Sequence, residues 1–421
     1  MDRNVAQLVI QAQSADKKER EAAESSLLQF SAQEPESMFL SLIDIACNSY
    51  PLTSRQFSLL FLRRLVTMYW SAGFESYVGP PGVGSRGKSI VRESLLRLSL
   101  DDSQDIKIKN SSSYCVVQIS AVDFPDEWPD LLIRIYEAIV EHYSLNAMSL
   151  LTEIFDDVVS EEMFFQGGIG WQTIQIVSQV LTSSTSSVES KSAALDLYHA
   201  CVLQLESPEA TSTIERKHAI AEHIKQMLGL FIQLLQFYQS SQDEIQPTLL
   251  KLKASIYENL GLLKSNFSKQ FFPEEEKNIL KGLVLKDLHA ISNIYYRSLN
   301  NTDDKDIDSL DECAIHIIVF LSSLHELVFS QTETPVLLDS LTKVCCLTDT
   351  QTSDWDSCFN IFVTKETGLA ASYSARDESF QFFNNLTGTN YTNLLAFLTQ
   401  NVHASGIDDW KYQESLIYLM E

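Results

Sequence analysis

The chain contains little glycine and little proline, the two residues that most often interrupt helices. Glycine accounts for 14 and proline for 10 of its 421 residues, each about half of the usual share in globular proteins. Eight of the fourteen glycines lie in two short segments, 73–87 and 167–170. Because the rest of the chain is almost free of helix breakers, the sequence predicts an all-α protein.

The seven cysteines are scattered along the chain and form no recognisable pattern. No two of them are spaced as C-x-x-C, and their number is odd. This arrangement excludes the common zinc motifs and a disulfide framework, and it favours a reduced cytosolic or nuclear compartment. The cysteines are Cys47, Cys115, Cys201, Cys313, Cys345, Cys346 and Cys358.

Motifs of common hydrolases are also missing. The patterns G-x-S-x-G and H-E-x-x-H do not occur. His218 and His223 are five residues apart, a spacing that does not place two side chains on one face of a helix. The acidic pairs 156–157 and 161–162 have no partner base in sequence and are interpreted as helix surface. We predict that the protein is not an enzyme and holds no cofactor or metal.

Segments typical of secreted or membrane proteins are not found. Residues 1–18 lack the basic-then-apolar order of a signal peptide. The most apolar stretch, 314–329, contains His316, His325 and Glu326 and is too short and too polar to cross a bilayer. Residues 410–421 have the pattern of an amphipathic helix without a cap signal, so we expect the chain to be the N-terminal piece of a longer protein.

Positive charge is scarce. There are 31 basic and 56 acidic residues, so the formal net charge is 31 − 56 = −25. Residues 101–200 carry 4 basic and 16 acidic side chains (net −12), and residues 301–421 carry 5 and 19 (net −14). Such a chain repels phosphate backbones, which argues against direct nucleic-acid binding. Two interpretations stay open: a charge that keeps the protein soluble, or two surfaces that capture basic proteins.

Amphipathic helical periodicity is the abundant feature. Apolar residues recur at i, i+3, i+4 and i+7 in nearly every segment. The pattern predicts antiparallel helix pairs that recur every 35–40 residues or so, as in two-helix HEAT-type repeats, and hence a right-handed α-solenoid. Many prolines stand where helices would begin, namely Pro35, Pro51, Pro247, Pro273 and Pro335. The first five predicted pairs are about 2–13 with 17–31, 35–49 with 53–70, 88–100 with 105–122, 129–143 with 145–163, and 171–183 with 187–205; a later helix is predicted at about 355–366.

A short segment matches the P-loop pattern G-x-x-x-x-G-K-[ST]. It runs from Gly82 to Ser89 and includes Lys88. In nucleotide-binding proteins a buried strand precedes such a loop, so that backbone N–H groups can cradle phosphate. The residues before Gly82 do not have the pattern of a buried strand. We therefore interpret residues 71–87 as a flexible loop between repeats.

One block of residues resembles a known family. Lys107-Ile-Lys109-Asn110 is followed by Tyr114 and then by Asp123-Phe-Pro125-Asp-Glu-Trp128-Pro129. Pro125 is expected to end one helix and Pro129 to lie in the first turn of the next, while Trp128 offers a large apolar face to fill the seam between repeats. The block resembles the junction of the third and fourth repeats in the karyopherin-β (importin-β) family. Residues 54–65, SRQFSLLFLRRL, resemble the second helix of that family's N-terminal Ran-binding region.

Other segments extend the resemblance over most of the chain. Residues 150–157 resemble the inner helix of the fourth repeat, where an acidic pair recurs, and residues 355–377 resemble the eighth-repeat region. Segments 161–170 and 365–373 resemble the importin-nine type, including its fungal member. Loop 71–87 is longer and richer in glycine than is usual in the family.

This resemblance implies a nuclear import receptor. Its implied partners are GTP-bound Ran, basic cargo such as core histones and the TATA-binding protein, and FG-repeat nucleoporins, in both cytoplasm and nucleus. Residues 1–123 would form HEAT repeats 1–3 with the Ran-binding region. Residues 124–421 would form further repeats of an arch that binds cargo and Ran. A Ran-independent helical-repeat scaffold or histone chaperone is the alternative.

The resemblance also implies roles for individual residues. Each basic residue has an alternative interpretation: Arg55 as a solvent-exposed first-turn residue, and Arg63 or Arg64 as part of a structural pair between repeats. The acidic residues could instead lie on a solvated outer face. The implied Ran-binding residues are Arg55, Arg63, Arg64, Lys109, Asn110, Asp156, Asp157 and Glu161, and the implied structural residues are Pro125, Trp128 and Pro129.

Overall fold

The computed structural model describes residues 2–207, 212–239, 246–267, 273–299, 304–324, 329–367, 373–386, 388–404 and 409–420. These residues form 21 α-helices and no strand, which confirms the predicted all-α class. The chain divides into two compact units, residues 1–201 and 202–421. The division at residue 123 that the resemblance implies stays a prediction. Residues 325–328 of the apolar stretch and 368–372 of segment 365–373 lie outside the described residues.

Unit 1 consists of helix pairs stacked side by side. The pairs are α1 with α2, α3 with α4, α5 with α6, and α7 with α8, while α10 packs on α7. The second helices of successive pairs also touch, because α4 packs on α6 and α6 packs on α8. The helices are α1 (Asp2–Gln11), α2 (Lys17–Gln33), α3 (Pro35–Cys47), α4 (Leu52–Tyr69), α5 (Ser85–Leu100), α6 (Ile106–Asp123), α7 (Leu131–His142), α8 (Leu145–Asp157), α9 (Glu161–Phe165), α10 (Ile169–Thr182) and α11 (Val188–Leu205), the last of which crosses into unit 2.

Prolines and polar caps set the helix starts. Pro35 and Pro247 occupy the first turn of their helices, and Pro51 and Pro273 occupy the N-cap positions, as the sequence predicted. A proline fits there because its missing N–H would have no partner in the first turn. Asp16 shows the alternative device, since its carboxylate accepts from the backbone N–H of Lys18 at 2.7 Å.

The predicted helix 145–163 is two helices. Helix α8 ends at Asp157, and Ser160 begins α9 by accepting from the N–H of Met163 at 3.3 Å. The apolar pattern continues across the break with the buried residues Val159, Phe164 and Phe165, which is why periodicity alone predicted one helix. Glu161 therefore does not share a helix with Asp156 and Asp157.

Unit 2 has the same pairwise arrangement. Helix α14 packs on α15, α13 packs on α15, and α15 packs on α19, while α14 packs on α16. A buried ion pair lies in this core: Lys253 Nζ is 2.5 Å from Asp287 Oδ1, and Tyr257 donates to Asp287 Oδ2 at 2.8 Å. The helices are α12 (Ile214–Phe237), α13 (Pro247–Asn266), α14 (Glu274–Ser298), α15 (Asp304–Ser323), α16 (Glu333–Val344), α17 (Asp349–Ser357), α18 (Phe359–Thr367), α19 (Ala375–Asn384), α20 (Gly388–Ala404) and α21 (Trp410–Tyr418).

The predicted helix 355–366 also differs from the structure. Helix α17 begins earlier, at Asp349, because Thr348 and Gln351 form a capping box in which each side chain binds the other residue's backbone N–H. It ends before Cys358, and α18 follows directly. Among the described helices of the chain, none combines the length and the apolar character that a membrane span requires.

Candidate functional site

Three successive repeats of unit 1 contribute to one surface. Arg63 of α4 places its guanidinium 5.0 Å from the ring centroid of Tyr114 on α6. Burial raises the pKa of the Glu153 carboxyl on α8, and the charge of Arg63 offsets part of this rise. The packing of α4 on α6 and of α6 on α8 brings these side chains together. A cation, an exposed aromatic ring and a carboxylate therefore lie in a row across three helices.

The α8 end of this row is negatively charged. Burial is the main cause that raises the pKa of both Glu153 and Asp156, and the neighbouring carboxylate of Asp157 raises both further. Asp156 and Asp157 are exposed, and Glu153 is half-buried. Crowded carboxylates of this kind favour a cationic partner, because its charge offsets their mutual repulsion.

Tyr114 and Glu153 of the row, and His199 beside it, were not among the predicted site residues. Glu153 lies three and four residues before Asp156 and Asp157, the spacing that puts side chains on one helix face, so the sequence held a signal for it. Burial raises the pKa of Asp156, and His199 of α11 offsets part of this rise. No local pattern connects His199 with a residue 43 positions earlier, and only the packing of the repeats reveals it.

Other predicted Ran-binding residues lie elsewhere. Arg55 is half-buried and donates to the carbonyl of Ala46 and to the side-chain oxygen of Gln104, each at 2.7 Å. It thus ties α4 to the end of α3 and to the turn before α6. The remaining four differ in exposure: Arg64 and Asn110 are exposed, and Lys109 and Glu161 are half-buried.

The junction block forms a buried polar cluster at the end of α6. The carboxylate of Asp123 accepts from the indole N–H of Trp70 at 3.0 and 3.1 Å and from Arg92 Nη1 at 3.0 Å. Trp128 is 4% exposed, and the Arg92 guanidinium lies 5.7 Å from its ring. Pro125 comes two residues after Asp123, the last residue of α6. Pro129 lies in a turn two residues before α7 begins, and not in its first turn as predicted.

The P-loop-like segment packs as part of this structure. Gly84 is the N-cap of α5, and its N–H donates to the Glu36 carboxylate at 2.9 Å. A Cβ atom at Gly84 or Gly87 would come within 2.8 Å of the Glu36 side chain. Lys88 lies over the Trp70 ring at 5.4 Å and faces Glu127 at 3.7 Å.

A carboxylate of the protein itself thus occupies the helix end that a P-loop would offer to phosphate. The loop is also shorter than predicted, because α5 begins at Ser85. It folds back on α4, since the N–H groups of Val78 and Val83 donate to the carbonyls of Met68 and Tyr69. The described residues contain no group of three or more His, Cys, Asp or Glu side chains arranged to hold a metal ion.

Comparisons with known proteins agree with this architecture. Residues 23–113 match the importin-beta N-terminal domain. Over 419 residues, 99% of this chain, the sequence is 43% identical to importin subunit beta-5 of Saccharomyces cerevisiae, of which the match covers 41%. The chain therefore spans less than half the length of this relative.

Solved structures show the same fold. The exportin Cse1 in its cargo-free, cytoplasmic state superimposes with a TM-score of 0.67 at 16% identity, over 100% of this chain and 46% of Cse1. The Kap95:Nup1 complex gives 0.58 at 12% identity, over 100% of this chain and 45% of the matched chain. Residues 23–113 thus match the importin-beta N-terminal domain, and the chain has the HEAT-repeat fold of these solved structures.

Proposed function

We propose that the chain is the part of a nuclear import receptor that binds GTP-bound Ran through its first repeats and takes part in binding basic cargo. One observation carries the proposal: Arg63, Tyr114 and Glu153, with Asp156 and Asp157 beside them, form a charged row across three successive repeats. Arg63 lies in the matched domain 23–113, and helix α6, which carries Tyr114, overlaps this domain. A mixed row of charges selects a partner with a complementary row, which favours specificity over mere attraction.

Release of cargo follows from the stacked repeats. Each helix pair touches only its neighbours, so small rotations between pairs add up along the chain. A GTPase that stabilises one arrangement weakens any cargo that needs another, and the coupling is reciprocal. In this proposal, binding of GTP-bound Ran in the nucleus promotes the release of cargo that was bound in the cytoplasm.

The cargo and the pore contacts are further parts of the proposal. We propose a receptor of the importin-nine type whose cargo includes core histones and the TATA-binding protein. The formal net charge of −25 supports basic cargo. The similar protein Kap95 has been solved in complex with Nup1, and we propose that FG-repeat nucleoporins bind this chain as it shuttles between cytoplasm and nucleus.

The test measures Ran affinity by calorimetry. GTP-bound but not GDP-bound Ran is expected to bind the chain, and Asp156→Lys/Asp157→Lys is expected to weaken binding at least about tenfold, or about 1.4 kcal/mol. Glu137→Lys/Glu141→Lys on α7 is the matched control, because it changes the charge equally on two exposed residues of another helix. If both variants weaken Ran binding equally, the loss of affinity is an effect of net charge and not of the acidic pair. If the folded chain does not bind GTP-bound Ran, the proposal of a Ran-binding function is wrong.

The alternative is a Ran-independent helical-repeat scaffold or histone chaperone. It shares the fold and the acidic charge, so affinity for histones alone does not separate the two functions. A competition experiment separates them. A scaffold binds histones equally well with and without GTP-bound Ran, whereas an import receptor binds them less tightly when GTP-bound Ran is present.

A further inference from the structure

Helix α17 of unit 2 presents a serine hydroxyl that no described residue engages. Ser353 is exposed in the middle of this nine-residue helix, and its hydroxyl makes no hydrogen bond among the described residues. Hydroxyl side chains inside helices often bond back to a carbonyl of the preceding turn, as the neighbouring Thr352 does with the carbonyl of Thr348 at 2.9 Å. The Ser353 hydroxyl is therefore available to a reactant from solution.

The sequence around Ser353 is acidic and contains no basic residue. Asp354 follows it directly, and Asp356 lies three residues after it. No Lys, Arg or His occurs from 344 to 364. Asp356 is exposed and forms no ion pair among the described residues. A protein kinase whose substrate groove is basic selects such a hydroxyl, because its cations pair with carboxylates on the C-terminal side of the target.

Two other exposed serines of the described part of the chain have a carboxylate three residues later, but in a different setting. Ser212 accepts from Arg216 Nη1 at 3.0 Å, and this arginine begins a run of three basic or histidine residues. Ser330 Oγ accepts from the N–H of Glu333 at 3.2 Å, and the Glu333 carboxylate pairs with a lysine of α14 at 3.1 Å. Ser353 alone among these three combines a hydroxyl and an acidic residue that are both without a partner in the described structure.

The position of α17 at the surface gives a kinase access to Ser353. A kinase binds the residues around its target in an extended conformation, so the helix has to open locally before transfer. None of the residues of α17 is buried, and short surface elements belong to the part of a protein that opens most readily. The same spacing at Ser31 and Ser120 lies on helices of the core, where both serines are completely buried.

We propose that Ser353 is a phosphorylation site for a protein kinase that selects acidic sequences. In the reaction Ser353 Oγ attacks the γ-phosphorus of ATP, the bond from this phosphorus to the bridging oxygen breaks to release ADP, and the hydroxyl proton passes to a carboxylate base of the kinase. The product is a phosphoserine with a charge of about −1.5 to −2 at neutral pH. The inference goes beyond the proposed function and does not depend on it, because neither Ran nor cargo takes part.

Site-resolved mass spectrometry of the full chain tests the inference. The folded chain is incubated with ATP and a catalytic amount of recombinant casein kinase II, a kinase that selects acidic sequences, and the initial rate is measured at each serine. Ser353 is expected to react at least about tenfold faster than Ser330, whose acidic residue is already paired. Ser353→Ala confirms the assignment of the phosphate to this residue.

A pair of charge variants tests the selection. Asp356→Asn is expected to lower the initial rate at Ser353 about tenfold, because it removes a carboxylate that the cations of the kinase pair with. Asp126→Asn removes the same charge from an exposed position of unit 1 and is expected to leave the rate unchanged. Circular dichroism during heating confirms that both variants stay folded. If the two variants slow the reaction equally, selection by the acidic sequence is refuted.

A synthetic peptide of residues 346–360 separates recognition from opening. If neither the peptide nor the chain acquires phosphate at Ser353, the kinase does not recognise this sequence and the inference is wrong. If the peptide reacts and the folded chain does not, α17 does not open to the kinase and the inference is equally wrong. Phosphate on the buried Ser31 and Ser120 at the rate of Ser353 would show that the kinase acts on unfolded chain, which also contradicts the inference.

Discussion

The indole N–H of Trp70 donates to the carboxylate of Asp123, a residue 53 positions later, with its nitrogen 3.0 Å from Oδ2 and 3.1 Å from Oδ1. Trp70 follows the last residue of α4, and Asp123 is the last residue of α6. Arg92 of α5 reaches the same carboxylate. One buried acidic side chain thus joins two successive repeats to the helix between them.

We expect Asp123→Asn to destabilise unit 1. The amide retains one oxygen acceptor but loses the charge that Arg92 faces, so the cost is on the order of 2–3 kcal/mol. Urea unfolding followed by circular dichroism measures the effect. Asp126→Asn, at an exposed position three residues later, is the control and should change stability by less than about 0.5 kcal/mol. Equal stability of both variants would contradict the bridging role of Asp123.

Lys191 of α11 makes a buried contact with the end of α10, and its loss should have a similar cost in stability. Its ammonium is buried and donates to the carbonyls of Val180, Leu181 and Ser183 at 2.6–3.1 Å and to Ser186 Oγ at 2.6 Å. Because these carbonyls end a helix, the cation also meets the negative end of its dipole. Lys191→Met should therefore cost roughly 2–4 kcal/mol.

Amide hydrogen exchange locates the effect of Lys191→Met. Faster exchange is expected at the C-terminal turn of α10, where the carbonyls lose their donor. Lys107→Met removes an exposed lysine from the first turn of α6 and should leave exchange in α10 unchanged. Unchanged α10 exchange in the Lys191 variant would show that water replaces the ammonium at little cost.

Because the pKa of the Asp311 carboxyl is raised, we expect the stability of unit 2 to depend on pH. Its pKa is raised from 3.8 to about 6, mainly by burial. The folded state therefore binds this proton more tightly than the unfolded chain. The contribution to stability is complete below about pH 4 and is lost as the pH rises through about 6.

Asp311→Asn removes this dependence, because the amide stays neutral and still accepts from the N–H of Ala375. We expect the variant to match the parent near pH 4 and to be more stable above pH 7 by roughly 1–2 kcal/mol. Thermal unfolding from pH 4 to pH 8 measures the difference. Asp356→Asn, at an exposed position of α17 in the same unit, is the control. If the parent chain instead becomes more stable relative to Asp311→Asn as the pH rises, the prediction is wrong.

Lys88 is expected to contribute to stability and not to nucleotide binding. Its ammonium lies over the Trp70 ring and near Glu127, so Lys88→Ala should cost about 1 kcal/mol. A fluorescent ATP analogue should show no saturable micromolar binding to the parent chain. Binding that is lost in Lys88→Ala but kept in Lys107→Ala would restore the P-loop interpretation.

The sequence predicted those features whose signals are local. Helical periodicity gave the class, and Pro35 and Pro247 gave helix starts. The break at 158–160 was missed because the buried side chains of Val159 and Phe164 continue the apolar pattern. Capping by Ser160 decides the break there, and a serine inside an amphipathic pattern is an ambiguous signal.

The candidate site was predictable only in part, for the same reason. The resemblance selected Arg63, Asp156 and Asp157, and helical spacing could have added Glu153. His199 required knowledge of which repeats touch. The same resemblance selected Arg55, yet its guanidinium donates to the carbonyl of Ala46 and to the side chain of Gln104. A sequence pattern identifies the face of a helix but does not show which neighbouring residues that face already contacts.

Helix α17 differs from α15 of the same unit in how little of it is buried. None of its residues is fully buried, whereas α15 buries Leu310, Ile317 and Phe320 completely. Tilting α17 away from its neighbours therefore exposes less nonpolar area than the same motion of α15 would, and local opening at α17 should cost less free energy.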